Sequence, residues 1–134
     1  MLLAESFDPR RTEPNRAFWE GLQKKLFLLQ KCSKCKLAQW YPRAICTSCG
    51  SRSLEWFQSS GQGFLYSYTI ANRRFGNLES AGEYAPFAIG LVELDERVRL
   101  YAKVRIQDFN TLHVGMKLKI EFDAEGTFPS FIPC

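Results

Sequence analysis

The sequence predicts a mainly β protein in which a short amphipathic helix leads into a metal-knit ribbon and then a small closed barrel. Three observations carry that expectation. Cys32-Ser33-Lys34-Cys35 and Cys46-Thr47-Ser48-Cys49 are two CxxC pairs separated by ten residues. Beyond a Ser-Gly cluster at residues 59–63, four runs of β-rich sequence follow one another. Ahead of the cysteines, apolar residues recur once per helical turn.

The helix comes first. Residues 1–14 are polar and carry Pro9 and Pro14, so an extended arm is expected. Asn15 then suits a helix N-cap. Phe18, Trp19, Leu22 and Leu26 fall on one face, while Arg16, Glu20, Gln23 and Lys24 fall elsewhere on the wheel. Gly21 interrupts the pattern. A helix this short is not stable alone and has to bury its aromatic face. Two covers fit equally: the chain's own core, or a partner protein.

The cysteines come next. Each CxxC makes a tight knuckle that turns both sulfurs toward one point, and four thiolates in two such pairs are the donor set of a tetrahedral zinc site. Residues 36–45 suffice for a short hairpin that brings the pairs together. Disulfides would need an oxidising compartment. A redox CxxC usually comes singly and opens a helix. Four cysteines close the coordination sphere, so the expected zinc is structural and not catalytic. Strands are expected over 26–30, 37–41 and 54–58, with Trp40, Tyr41, Trp56 and Phe57 packing around the metal.

The barrel follows. The Gly61-Gln62-Gly63 stretch lacks the third glycine, the Lys-Ser/Thr and the helix of a phosphate loop. It reads better as a bulge or bend entering a strand over 64–70. Residues 72–85 form a long loop carrying Arg73, Arg74 and Phe75, and loops of that length are usually functional or disordered. Strands are expected over 87–94, 98–104 and 116–122, with Asp95-Glu96-Arg97 as a tight hairpin. The proline- and phenylalanine-rich tail, 128–134, should lie extended against a surface. Four or five strands with a glycine-marked first strand fit an OB-fold. The expected organisation is an arm and helix at 1–28, the ribbon at 29–58 and the barrel at 59–134.

Composition narrows the function. The chain has 134 residues and a formal net charge of +4. Residues 1–60 hold ten Lys/Arg against five Asp/Glu, and residues 61–134 hold eight against nine. Cations around the cysteines could meet phosphate on nucleic acid or on a nucleotide-like cofactor, or simply form a solvated face that steadies zinc thiolates. No apolar run reaches the length of a membrane span. The first residues run at once into charge, so no export signal is expected, and the cytoplasm is the expected location.

The series of short motifs is specific when taken in order: Phe18-Trp19-Glu20, the first CxxC, Tyr41-Pro42-Arg43, the second CxxC ending in Gly50-Ser51, and Glu55-Trp56. Ser60 to Gly63, Tyr66 to Thr69, Pro86 to Ile89, Val92 to Asp95, Gly115-Met116 and Phe128 to Pro133 continue it. From about residue 15 onward the chain resembles the acyl-CoA-associated zinc-ribbon/OB-fold family, long filed as a domain of unknown function. The resemblance implies a rubredoxin-like ribbon joined to an OB-fold, with Cys32, Cys35, Cys46 and Cys49 as zinc ligands. It also implies a non-catalytic subunit that completes or stabilises a thiolase-like acyl-CoA enzyme, or a hydratase or aldolase, and possible contact with a CoA thioester. The chain departs from many relatives at Asp95-Glu96-Arg97, where they place a glycine in the hairpin.

The residues support a non-catalytic role independently. His113 is the single histidine, four of the five cysteines are committed to metal, and Cys134 is the last residue. The candidate surface for a partner or for CoA comprises Phe18, Trp19, Leu22, Arg73, Arg74, Phe75, Phe128 and Phe131. The alternative is a nucleic-acid binder, because a basic ribbon on an aromatic-rich OB barrel is a legitimate single-strand platform. The mildly acidic barrel half argues against it.

Overall fold

A computed structural model describes residues 13–72, 86–122 and 128–134. A 3-10 turn at Glu13–Asn15 leads into α1, Arg16–Gln23. The strands are β1 (Leu28–Cys32), β2 (Ala38–Gln39), β3 (Leu54–Gln58), β4 (Gln62–Ala71), β5 (Phe87–Leu94), β6 (Arg99–Val104), β7 (Lys117–Glu121) and β8 (Ser130–Pro133). The first three form a sheet in the order β2-β1-β3, and the other five close a barrel in the order β4-β5-β6-β8-β7.

The helix forms where expected, but its ends work differently. Asn15 stands at the N-cap with no side-chain capping bond. Its amide nitrogen donates instead to the Tyr41 hydroxyl, 2.6 Å away, and the residue is buried. At the C-terminus the amide of Lys25 bonds the Leu22 carbonyl and that of Leu26 bonds the Gly21 carbonyl. Lys25 has φ 59°, so a lysine fills the left-handed position of this stop signal that glycine usually takes. Gly21 marks close approach and not a break: a Cβ there would come within 2.9 Å of Leu28 Cδ1.

Among the described residues one apolar core runs from the helix and ribbon into the barrel. Phe18, Trp19, Leu22, Phe27 and Leu29 from the helix and ribbon join Leu65, Val92, Leu100, Val104, Leu118 and Phe131 from the barrel. At its ribbon end Phe18 meets Trp19, Phe27, Trp40, Tyr41 and Phe128, with ring centroids 4.9 to 6.5 Å apart. Trp40 and Tyr41 therefore pack into this knot between helix, ribbon and barrel, whereas the sequence had suggested packing around the metal.

The tail also differs from expectation. β8 is a barrel strand: it runs antiparallel to β7, with Ile120 opposite Phe131, and pairs parallel with β6 where Val104 meets Phe131. It closes the barrel and leaves no free sheet edge there. In β4 the irregularity falls between Leu65 and Ser67 rather than at the glycines. Gly63 instead permits contact, since a Cβ would sit 2.2 Å from the Glu93 carbonyl oxygen.

The hairpin after β5 turns at Asp95-Glu96-Arg97, with Arg97 at φ 65°. The Arg97 amide donates to the Leu94 carbonyl at 2.8 Å. Glu96 reaches back to the ribbon–barrel junction, where it accepts from the Ser59 hydroxyl at 2.7 Å and the Ser60 amide at 2.9 Å. The Ser59 amide donates to the Phe27 carbonyl at 2.8 Å. The linker is thus bonded to both neighbours. Among the described residues no helix is long and apolar enough to cross a membrane.

Candidate metal centre and its surroundings

The two knuckles are built the same way. In the first, the Lys36 amide donates to the Cys32 carbonyl and the Cys32 amide to the Leu37 carbonyl; in the second, Gly50 donates to Cys46 and Cys46 to Ser51. Lys36 (φ 67°) and Gly50 (φ 76°) occupy the left-handed position directly after each CxxC. Within each CxxC loop a backbone amide points at the first sulfur. The Cys35 amide lies 3.4 Å from Cys32 Sγ, and the Ser48 amide 3.4 Å from Cys46 Sγ.

The four sulfurs all lie within 4.8 Å of one another. Cys32 and Cys49 are 3.6 Å apart, as are Cys35 and Cys46. A tetrahedron with Zn–S bonds of about 2.3 Å has edges of about 3.8 Å, so the sulfurs stand where zinc needs them. The electrostatics agree. Amide hydrogen bonding, chiefly from Cys35, pulls the Cys32 thiol from 9.0 down to about 6. Cys46 is also lowered, first by the Cys49 amide. At Cys35 the Leu37 amide pulls downward, but desolvation and the neighbouring sulfurs outweigh it and lift the thiol to about 11. A cluster with one thiol pushed up by its neighbours holds its full negative charge only around a cation.

Two buried glutamines hold the segment between the knuckles. Gln30 and Gln39 face each other across β1 and β2. Gln39 Nε2 donates to Gln30 Oε1 at 2.8 Å, and Gln39 Oε1 accepts from the Thr47 amide at 3.0 Å. Gln30 takes both backbone groups of Arg43, accepting from its amide at 2.8 Å and donating to its carbonyl at 2.9 Å. The glutamine pair thus stands in for strand hydrogen bonds along a segment too irregular to form a ladder. The sequence carried one signal for this, two glutamines inside predicted strands, which the cysteine pattern overshadowed.

The other predicted site residues part company with the cysteines. Phe18, Trp19, Leu22 and Phe131 are 0 to 6% exposed. The expectation that they face a partner or CoA is corrected: their apolar surface is already covered by the chain's own core. Phe128 is half-buried in the aromatic knot. Arg73, Arg74 and Phe75 lie outside the described residues. His113 is exposed, with Nδ1 3.0 Å from the Thr111 carbonyl oxygen.

A four-cysteine ribbon packed on a five-stranded closed barrel defines the class: a structural-zinc module fused to an OB-fold. The model of the ChsH2 rubredoxin-like zinc ribbon domain matches residues 19–55, and that of the ChsH2 C-terminal OB-fold domain matches residues 56–123. The chain belongs to this ChsH2, or DUF35, family. A DUF35 domain-containing scaffold protein of Pyrococcus furiosus is 31% identical over 117 residues, covering 81% of this chain and 82% of that one. A probable enoyl-CoA hydratase alpha subunit of Thermomonospora curvata is 28% identical over 123 residues, 89% of this chain but only 37% of that one. The chain therefore spans little more than a third of the hydratase subunit's length. Among solved structures, an Ltp2-ChsH2(DUF35) aldolase superposes with a TM-score of 0.77 at 27% identity, covering 91% of this chain and 95% of that one.

Proposed function

We propose that this chain is a non-catalytic accessory subunit of an acyl-CoA enzyme, one that completes or stabilises a partner carrying the reactive groups. The observation that supports this most is the use of the cysteines. The four thiols that could act as nucleophiles converge on a closed metal site with no position left for a substrate. The fifth, Cys134, is exposed and terminal. Relatives named as scaffold proteins, as a hydratase alpha subunit and as part of an aldolase complex support the same reading.

In this reading the zinc is architectural. It supplies roughly 10–16 kcal/mol of apparent binding energy, which in modules this small is folding energy. Cys32, Cys35, Cys46 and Cys49 would hold it. The finer part of the proposal is that the partner is of the thiolase type, with its own nucleophile, and that Arg73 and Arg74 lie against CoA phosphates.

Purification of the tagged chain from its own cells, followed by identification of its companions, tests the assembly. An acyl-CoA enzyme subunit at fixed stoichiometry is the expected result. A chain that turns over a thioester unaided, or that elutes with nucleic acid in place of protein, overturns it. Arg73→Glu with Arg74→Glu should weaken CoA binding by the purified complex, and unchanged affinity would remove those arginines from the reading.

A further inference from the structure

The outer face of β4, β5 and β6 carries a surface that the metal centre does not use. Tyr101 is 73% exposed and Tyr66 43%. The strand register brings them together: Leu91 of β5 lies opposite Tyr101 of β6 and opposite Ser67 of β4, the residue after Tyr66 at the β4 irregularity. Ile89 and Leu91 are half-buried between the rings. With Ser67, Thr69 and Tyr101 they line a shallow hollow of about 170 Å³.

The Tyr66 ring is held in place. The Arg99 guanidinium sits 3.8 Å from the Tyr66 ring centroid, and its Nε donates to Glu93 Oε1 at 2.8 Å. Tyr68, opposite the inward-facing Gly90, turns to the other side of β4, where its hydroxyl donates to the Leu112 carbonyl at 3.4 Å. Along β6 and just past it, Arg99, Lys103 and Arg105 alternate with buried residues on the same outward row as Tyr101. Arg105 is paired with Glu121. Lys103, opposite Ile89, lies 5.4 Å from the Phe87 ring centroid, and no described carboxylate stands within ion-pair distance of it.

Exposed tyrosine and arginine around a small apolar hollow are the composition of a protein–protein contact centre. We infer that this face docks a folded protein whose surface presents one apolar side chain, to enter the hollow beside Leu91 and Tyr101, next to a carboxylate that pairs with Lys103. The inference rests on the assembly reading above and names the surface by which the acyl-CoA enzyme partner is held. The observations disfavour two other occupants. A second copy offers this face no free carboxylate for Lys103, because Glu93 and Glu121 are already paired with Arg99 and Arg105. A nucleic acid needs several phosphate contacts, whereas Glu93 and Glu121 neutralise two of the three cations here.

The test places the photo-crosslinking amino acid p-benzoylphenylalanine at position 101, and at Val114 as a second exposed position for control, in the full chain within its own cells. The crosslinked peptide is identified by mass spectrometry. Position 101 should capture an acyl-CoA enzyme subunit through a peptide with an acidic residue beside an apolar one, and position 114 should not. With that subunit purified, Tyr101→Ala and Lys103→Glu should each weaken its binding at least tenfold. Their unfolding temperatures should stay unchanged, because both side chains are exposed. Reversing the captured carboxylate to lysine should restore binding to Lys103→Glu. Affinity unmoved by either variant, while the subunit still co-purifies, overturns the face and leaves the assembly standing. Absence of any acyl-CoA enzyme companion overturns both. Capture of a second copy, or of RNA, overturns the choice of partner.

Discussion

Phe18→Ala separates a core role from a docking role for the helix. The ring is fully buried against five other aromatic rings drawn from helix, ribbon and tail. Deleting a buried phenylalanine costs about 3–5 kcal/mol in lost transfer energy and residual cavity. The upper half of that range applies here, because rings pinned by one another collapse poorly into a hole. With a urea slope of about 2 kcal/mol/M, the midpoint should fall by about 2 M at unchanged slope. Tryptophan fluorescence of the zinc-loaded chain reads the transition well, since Trp19 and Trp40 both touch the substituted ring. Phe18→Leu keeps most of the volume and should lose appreciably less. A midpoint drop under about 0.5 M, with partner binding lost, would refute the burial argument and return Phe18 to an interface.

Three other expectations concern the metal and its supports. Gln39→Leu preserves volume but removes the bonds to Gln30 and Thr47, so it should cost about 1–3 kcal/mol by thermal unfolding and weaken zinc binding; full stability would make the network decorative. Removing zinc with a chelator, or by Cys46→Ser, should lower the whole chain's stability in one calorimetric transition, because a single core spans ribbon and barrel, and two separated transitions would contradict that. The pH response of the metal-free chain follows from two opposite shifts. Cys32, lowered to about 6 from 9.0, contributes stability that is complete above pH 9 and lost as pH falls through about 6. Cys35, raised to about 11, contributes stability that is complete below pH 9 and lost as pH rises through about 11. Zinc must displace the Cys35 proton near neutrality, so affinity measured against a competing chelator should fall about tenfold per pH unit for each proton displaced on acidification. A flat profile would mean the thiols are already ionised.

Much of this architecture was legible because short-range chemistry dictated it. The CxxC spacing placed the sulfurs, and the β-rich run over residues 87–94 placed β5 to the residue. The bounds of β6 and β7 shifted by only one or two residues. What could not be read was whatever depends on residues far apart. An apolar helix face looks the same whether its cover is Phe128 of the same chain or a partner, and only tertiary packing decides between them. The tail read as a surface strap because Pro129 and Pro133 discourage strand pairing. It nevertheless closes the barrel, with Phe131 buried between β6 and β7 and both prolines at the margins of the strand. Gln30 and Gln39 gave no periodic signal at all, because their role exists only once β1 and β2 are in register. At Arg97 the sequence flagged a departure at the hairpin, and the structure gives its physical content: a non-glycine residue at positive φ.

The position of Glu96 links the metal to the tyrosine face. Its carboxylate grips Ser59 and Ser60, the linker that also bonds Phe27 at the ribbon's edge. Three residues further along the same hairpin, Arg99 begins the outward row that continues through Tyr101 and Lys103. The ribbon therefore fixes the hairpin turn, and the hairpin carries the exposed ring. Losing zinc should loosen the ribbon, release the grip on Glu96 and widen the range of orientations that Tyr101 samples, so that a partner has to order the ring on binding. Partner affinity is then expected to fall on chelation even though no docking side chain touches a cysteine. Glu96→Gln, which keeps the shape but gives up the charge-assisted bonds, should reproduce part of that loss in the zinc-loaded chain. If chelation weakens the partner and Glu96→Gln does not, the coupling runs through the shared aromatic core instead of the hairpin.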